Sequence, residues 1–427
     1  MTLFGSFLLI IATGIPVAFA FAIAGMLYLT FSDSLSLDLD NIVTVTFSGL
    51  DSFVLMSIPF FIFAGDLMKQ GGIIDRLVKL SGLILGRSKS AMGGISVLTS
   101  TFFGAISGSS AASVAAVGSI MVPEMQRQGY KKPAAAALVA AAGFIGIFIP
   151  PSIPLILYGL ASGASIGALF LAGIIPGILV MLTFMGLNVF LARNNSPSPD
   201  EDVVKVNAQS KISIVLQALP GLLLPVLILG GIYSGLFTPT EAAAVAVFYA
   251  IVISKYVYKS LNFSDLPKLA LGSAITSASI MIIIGFSAFF GRLMTLDQIP
   301  DAISEAMLTL TTNPILLTLL MNLFLLFLGM FVETATIIMI ATPILLPLAI
   351  ELGIDPVHFG VIMIMNLSVG LITPPMSLNL FVAARISDLE LRHLVRPILP
   401  YVFTSLILML VISYVPQLSM YLPNALN

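Results

Sequence analysis

Long apolar stretches alternate with short polar breaks along almost the whole chain. That alternation predicts nine membrane spans, roughly 3–30, 45–68, 134–160, 166–192, 212–232, 238–258, 274–294, 357–384 and 397–422. Each meets the ~20 apolar residues needed to cross a hydrocarbon core of ~30 Å. Two further apolar regions, 91–123 and 313–349, are interrupted at "GAISGSSAAS" (Gly104–Ser113) and "GMFVETAT" (Gly329–Thr336). Their arms read as about 14 residues, or ~21 Å of helix, too short to cross. They are expected to be re-entrant helical hairpins, whose tips survive only where protein or a water-filled cavity covers them. Inside two of the spans the chain reads "GIFIPPSIPL" (Gly146–Leu155) and "GLITPPMSLN" (Gly370–Asn379), where paired prolines must break the helix.

Composition agrees with a polytopic membrane protein. Of 427 residues 58% are hydrophobic and 9% charged, with a mean hydropathy of +1.10, against about a quarter charged in soluble domains. The first apolar run, from Leu3, reads as a retained span because no basic segment precedes it. The absence of cysteine excludes disulfides and thiolate metal sites. A net charge of −2 without a large basic run argues against nucleic acid. The two histidines, His358 and His393, are expected in loops and receive no role.

Charge placement orients the chain. With a cytoplasmic N-terminus and hairpins that return to their own side, 17 of 18 Lys and Arg fall on the cytoplasmic side, leaving only Arg292 outside. Reading the hairpins as full crossings would move the basic residues between 127 and 268 outside, against the positive-inside rule. The C-terminus is then periplasmic.

The pattern occurs twice. Pro123 and Pro347 lie 224 residues apart, as do Gly129 and Gly353, Gly146 and Gly370, and Pro150-Pro151 and Pro374-Pro375. "AGDLM" (Ala64–Met68) faces "FGRLM" (Phe290–Met294), and "GIPVAFA" (Gly14–Ala20) faces "FTPTEAAA" (Phe237–Ala244). The fold class expected is therefore an all-α polytopic membrane protein of two repeats, 1–205 and 206–427, joined near Arg193–Lys211. Hairpin 91–123 and broken helix 134–160 belong to the first, hairpin 313–349 and broken helix 357–384 to the second. Five spans separate the two starts, so the second repeat is inverted in the membrane. Inverted repeats with helices broken at matching positions are the signature of secondary transporters.

The breaks suggest their chemistry. Two consecutive prolines leave upstream carbonyls without partners, among them those near Gly143, Gly146, Gly370 and Thr373. The hairpin tips bring Ser107, Gly108, Ser109 and Ser110 on one side, and Gly329, Glu333, Thr334 and Thr336 on the other. Only oxygen ligands are on offer, which suits a hard monovalent cation such as Na⁺. Half-helix N-termini can face an anion. Taken alone, each feature has a structural rival: a kink for Pro-Pro, close helix packing for the Ser/Gly/Ala tip, a hydrogen bond to the tip backbone for Glu333. Glu241 is expected to offset the dipole of its own helix. No P-loop appears, and no base stands near Ser107 or Ser109 for hydrolysis, so an enzyme is not expected.

With Gly-x-x-x-Pro-Pro in both halves, "FFGAISGSSAASVAAVGSIMVPEM" at 102–125 and "TPTEAAAVA" at 238–246, the chain resembles the large membrane subunit of the tripartite ATP-independent periplasmic (TRAP) transporters. The resemblance implies an elevator-type ion transporter, with a transport body of 91–160 and 313–384 and a scaffold from the rest. The same resemblance points to Na⁺-driven uptake of an organic acid, a C4-dicarboxylate, sialic acid or another sugar acid, across a bacterial inner membrane. It implies two partners, a small membrane subunit on a separate chain and a periplasmic substrate-binding protein. Carried over by position, one Na⁺ site would involve Ser107, Gly108, Gly143, Gly146 and Pro150. A second would involve Gly329, Gly370, Thr373 and Met376. Substrate would lie near Ser109, Ser110, Ser152, Thr334, Asn366, Ser377 and Asn379. A stand-alone Na⁺–carboxylate symporter without a binding protein is the alternative.

Overall fold

The computed structural model describes residues 2–31, 39–86, 90–193, 210–375 and 377–426. Among them there is helix and no strand, and eight helices are long and apolar enough to cross a membrane. In lipid a helix satisfies its own backbone, which is why so apolar a chain takes this form.

Both hairpins are present, with tighter turns than the sequence suggests. The first joins Ala91–Ser107 to Ser110–Arg127 through Gly108 and Ser109. The second joins Pro314–Phe331 to Thr334–Glu351 through Val332 and Glu333. The arms run to 17 and 18 residues in the first hairpin and 18 each in the second, or about 27 Å at the helical rise. They are thus longer than expected, because Gly104–Ser107 and Gly329 stay helical and each turn takes only two residues. Gly108 makes the first turn possible with φ of 61°.

The first broken helix runs Lys132–Gly143, tightens to a 3₁₀ turn at Phe144–Ile147 and resumes at Ile153–Ser162. The second runs Pro356–Gly370 and resumes at Leu378–Ile386. Each starts with proline in its first turn, where the missing N–H costs nothing. In the second, Asp355 also accepts from the amides of Val357 (2.8 Å) and His358 (3.4 Å).

Several expected single spans are divided. Thr2–Ala12 and Val17–Phe31 are separate helices, parted by Gly14 (φ 85°) and Pro16. Leu39–Leu50 is parted from Ser57–Gln70 by a 3₁₀ turn at Phe53–Met56, and Leu391–Tyr414 from Gln417–Leu426 at Val415-Pro416. Between the expected span 274–294 and the second hairpin lies a helix, Ile299–Leu310, whose counterpart 226 residues earlier is Ile73–Leu85. Both follow a residue in the left-handed region, Gly72 and Gln298.

Neither histidine is in a loop. His358 is buried in the Pro356–Gly370 helix, its Nδ1 2.6 Å from the Ser419 hydroxyl and its Nε2 3.3 Å from the Ser413 carbonyl. His393 lies in the first turn of Leu391–Tyr414. The Asp355-Pro356 and Glu390 cap positions put both inside helices.

Packing crosses between the halves in matched pairs. Ser110–Arg127 packs on Leu378–Ile386, and its counterpart Thr334–Glu351 packs on Ile153–Ser162. Leu391–Tyr414 lies on Lys132–Gly143, while Ile166–Arg193 lies on Pro356–Gly370. Among the remaining helices, Ser57–Gln70 packs on Pro239–Val252 as Leu266–Leu296 packs on Val17–Phe31. Each half is therefore completed by the other, and neither encloses a core alone.

One such seam is bonded. Tyr158, fully buried, donates its hydroxyl to the Pro356 carbonyl at 2.6 Å, and a Cβ on Gly360 would stand 2.5 Å from the Tyr158 ring. Gly360→Val should cost roughly 1–3 kcal/mol by overpacking, and Tyr158→Phe about 1 kcal/mol. Thermal unfolding in detergent reads both; an unchanged midpoint for Gly360→Val would contradict the tight seam.

Candidate functional site

Each Pro-Pro pair withholds two amides from carbonyls four residues upstream, those of Gly146 and Ile147 in the first break and of Gly370 and Leu371 in the second. Both Pro-Pro peptides are cis. The structure answers the loss in the same way twice. Ser152 donates its hydroxyl to the Ile147 carbonyl and accepts from the Leu155 amide at 3.4 Å. Ser377 donates to the Leu371 carbonyl at 2.5 Å and accepts from the Leu380 amide at 3.4 Å. Each serine ties the broken end to the N-terminus of the following half-helix. These two residues, expected near substrate, are buried and engaged as caps.

The glycine carbonyls are treated differently. Gly370 accepts from the Thr373 amide at 3.1 Å, a 3₁₀ closure, and retains a second lone pair. Among the described residues no downstream backbone amide reaches the Gly146 carbonyl.

Against each break lies a hairpin arm at backbone contact. A Cβ on Gly104 would fall on Gly146 Cα, and one on Gly146 would stand 2.6 Å from Gly104 Cα. In the second half a Cβ on Gly370 would fall on the backbone of Gly329. Gly329 thus corresponds to Gly104 and sits almost a turn before the second tip. Gly104 was missed because a helical glycine gives no signal until its partner is known. Past Gly104 the first tip reaches the break itself: a Cβ on Gly108 would lie 2.6 Å from the Pro151 carbonyl oxygen. Gly143 faces the Ser110 carbonyl at 3.2 Å from a built Cβ.

The first expected cation set, Ser107, Gly108, Gly143, Gly146 and Pro150, is therefore gathered at one junction. Ser113 joins it, its hydroxyl 3.5 Å from that of Ser107 and 3.2 Å from a Cβ built on Gly146. Its position three residues after Ser110 on one helical face was the available signal. Of the second set, Gly329 and Gly370 touch, and Thr373 donates to the Val369 carbonyl at 2.6 Å. Met376 lies outside the described residues.

The remaining expected residues divide. Ser110 and Asn379, 269 positions apart, are bonded: the Ser110 hydroxyl lies 3.0 Å from Asn379 Oδ1 and 2.7 Å from Nδ2, which also donates to the Ala140 carbonyl at 3.0 Å. This fastens the first hairpin to the second broken helix. Asn366 turns away from the tips, donating to Asn322 Oδ1 at 2.7 Å and the Ile362 carbonyl at 2.8 Å. Thr334 is buried at the start of its arm.

A cavity of about 800 Å³ connects the two tips. Ser107 and Ser109 line it from the first hairpin, Glu333 and Thr336 from the second, and Ile153 from the first resumed half-helix. The Thr336 hydroxyl is buried there without a hydrogen-bond partner among the described residues. Glu333 occupies the N-cap position of Thr334–Glu351, at that helix's positive end. The opposite wall comes from Asp66, Lys69, Thr276 and Ser279. Asp66 accepts from Ser273 at 2.6 Å, joining the two wall helices. None of these wall residues was foreseen, since nothing in the sequence ties 66–69 to 276–279. Glu241 lies elsewhere, closing a capping box in which its Oε2 accepts from the Thr238 amide and hydroxyl, both at 2.8 Å.

Comparison with known proteins follows the same lines. The family model "Tripartite ATP-independent periplasmic transporter, DctM component" matches residues 4–418. An isethionate TRAP transporter permease protein, DctMQ, of Oleidesulfovibrio alaskensis is 40% identical over 419 residues, covering 98% of this chain and 65% of that protein. The C4-dicarboxylate TRAP transporter large permease DctM of Pseudomonas aeruginosa is 40% identical over 387 residues, 89% of this chain and 88% of that protein. The sialic acid TRAP transporter large permease SiaM of Vibrio cholerae is 34% identical over 411 residues, 96% and 95% of the two chains. Among solved structures, the YdaH transporter of Alcanivorax borkumensis superposes with a TM-score of 0.66 at 17% identity, over 96% of this chain and 98% of that one, a likeness of fold. The chain belongs to the DctM component family of the tripartite ATP-independent periplasmic transporters, a family of multi-pass membrane permeases.

Proposed function

We propose that the chain is the large permease of a Na⁺-coupled uptake system for an organic anion, working by an elevator motion in the inner membrane. The single observation that carries this reading is the duplicated junction, in which a hairpin packs glycine-on-glycine against a Pro-Pro break and both tips open onto one cavity. Na⁺ binds at the junctions, through Ser107, Gly108, Gly143, Gly146 and Pro150 in one and Gly329, Gly370 and Thr373 in the other. The anion lies in the cavity between Ser109 and Thr336. Glu333 lines the same cavity, so co-bound cations are needed before an anion is tolerated there. That requirement is the coupling.

The moving body comprises 91–160 and 313–384. The Ser110–Asn379 bond and the crossed packing of the hairpins support a body that travels as one piece. The cavity wall at Lys69 and Thr276 belongs to segments that charge placement assigns to the cytoplasmic half, which makes this the inward-facing state. Relatives named for isethionate, C4-dicarboxylate and sialic acid all take anions, which supports the substrate class. The membrane partner is a small permease subunit, a role consistent with a 65% match to a relative named DctMQ, and a periplasmic binding protein delivers the substrate.

Uptake of these labelled anions into proteoliposomes, with the small subunit present, should require both an inward Na⁺ gradient and the binding protein. Uptake that persists without the binding protein would replace this reading with a stand-alone symporter, and uptake indifferent to Na⁺ would remove the coupling. Asn379→Ala should cut uptake at least tenfold while Na⁺ half-saturation moves less than threefold, since the bond holds the body together and not the ion. In unfolding, Ser110→Ala and Asn379→Ala should couple by about 1 kcal/mol; additive losses would show that the two side chains act separately.

A further inference from the structure

A second cavity, of about 620 Å³, lies apart from the tips, where Tyr130–Leu138, the end of helix Ile166–Arg193 and the start of helix Leu391–Tyr414 converge. Its lining includes Lys131, His393 and Arg396, and among the described residues no Asp or Glu. Neither Lys131 nor Arg396 makes an ion pair among the described residues. Glu390, the carboxylate nearest in sequence to Arg396, is held by Arg392 at 2.5 Å. The cavity also meets the N-termini of two helices, Lys132–Gly143 and Leu391–Tyr414, which add partial positive charge. The Tyr130 hydroxyl is buried at the edge of this cavity, beside the Gly93 backbone and the Asn188 side chain.

So much uncompensated positive potential around a hollow calls for an anion. The rest of the lining is apolar, with Leu138, Leu191, Pro397 and Pro400. On the same helices Val189, Phe190, Leu399 and Phe403 are exposed on the outside, a surface that suits lipid chains. The flanking basic residues Arg127, Lys132, Arg193 and Arg392 put this end at the cytoplasmic leaflet. A soluble anion would use the cations and leave the apolar walls and lipid-facing rim without a purpose.

We propose that this cavity binds the headgroup of an anionic phospholipid of the inner leaflet. Its phosphodiester lies between Lys131 and Arg396, His393 supplies a further donor, and the acyl chains run out along Leu138, Leu191 and the Phe403 face. The site is wedged between the first half of a broken helix and two flanking helices, so an occupying lipid ties leaflet charge to the seating of that helix.

Native mass spectrometry of the full-length chain, titrated with phosphatidylglycerol or phosphatidylcholine, tests this without reference to transport. Phosphatidylglycerol should bind roughly thirtyfold more tightly, as expected for two basic contacts. The preference should vanish in Lys131→Gln/Arg396→Gln and persist in Lys131→Arg/Arg396→Lys. Both side chains are exposed, and the charge-conserving variant separates lost charge from lost fold. Equal binding of the two lipids, or a preference that survives the Gln variant, overturns the proposal. Displacement of phosphatidylglycerol by millimolar inorganic phosphate would assign the site to a soluble anion instead.

Discussion

A backbone carbonyl inside a membrane must find a donor, and proline cannot be one. Everything distinctive in this molecule sits around four carbonyls to which that constraint applies, at Gly146, Ile147, Gly370 and Leu371. Two are closed by the serines that cap the resumed half-helices. The glycine carbonyls remain beside a hairpin whose own glycine allows backbone to touch backbone. A breach that would destabilise an ordinary span thereby becomes a polar junction built almost entirely of main chain. Such a junction offers oxygen ligands to a hard cation and leaves side chains free to shape the cavity next to it.

Duplication turns one junction into a mechanism. The second copy differs in composition, with Val332 and Glu333 at its turn where the first has Gly108 and Ser109, yet the same glycine pair and capping serine recur. The crossed packing means that neither copy is an independent domain, and the buried Ser110–Asn379 bond has no equivalent in the other half, where Pro154 replaces the asparagine. The two junctions are similar in backbone and different in side chains, the arrangement expected when one cavity between them must hold an asymmetric ligand.

Much of this was legible because proline and glycine obey local rules. Pro150-Pro151, Pro374-Pro375 and the matched glycines mark the breaks and the repeat without any tertiary knowledge. Ser152 and Ser377 were expected near substrate, and the structure engages both as caps: a serine just after a proline break and just before an apolar run is also a helix-start signal. His358 could likewise have been placed from Asp355-Pro356, a cap followed by a first-turn proline. The second tip falls inside the expected break at Gly329–Thr336, but Gly329 itself, which reads as a breaker, is a contact surface within a buried arm. Asn379 meeting Ser110, and Asp66 and Lys69 facing Thr276 and Ser279 across the cavity, depend on how distant segments pack, and no periodicity reports that.

The account stands or falls on whether the two junctions hold cations. Equilibrium binding of radioactive Na⁺ to the purified complex, with substrate present, tests this most directly. Two saturable ions per chain are predicted, with one lost in Gly146→Val and one in Gly370→Val, each variant crowding a single junction. No saturable binding, or an unchanged stoichiometry in both variants, would contradict it.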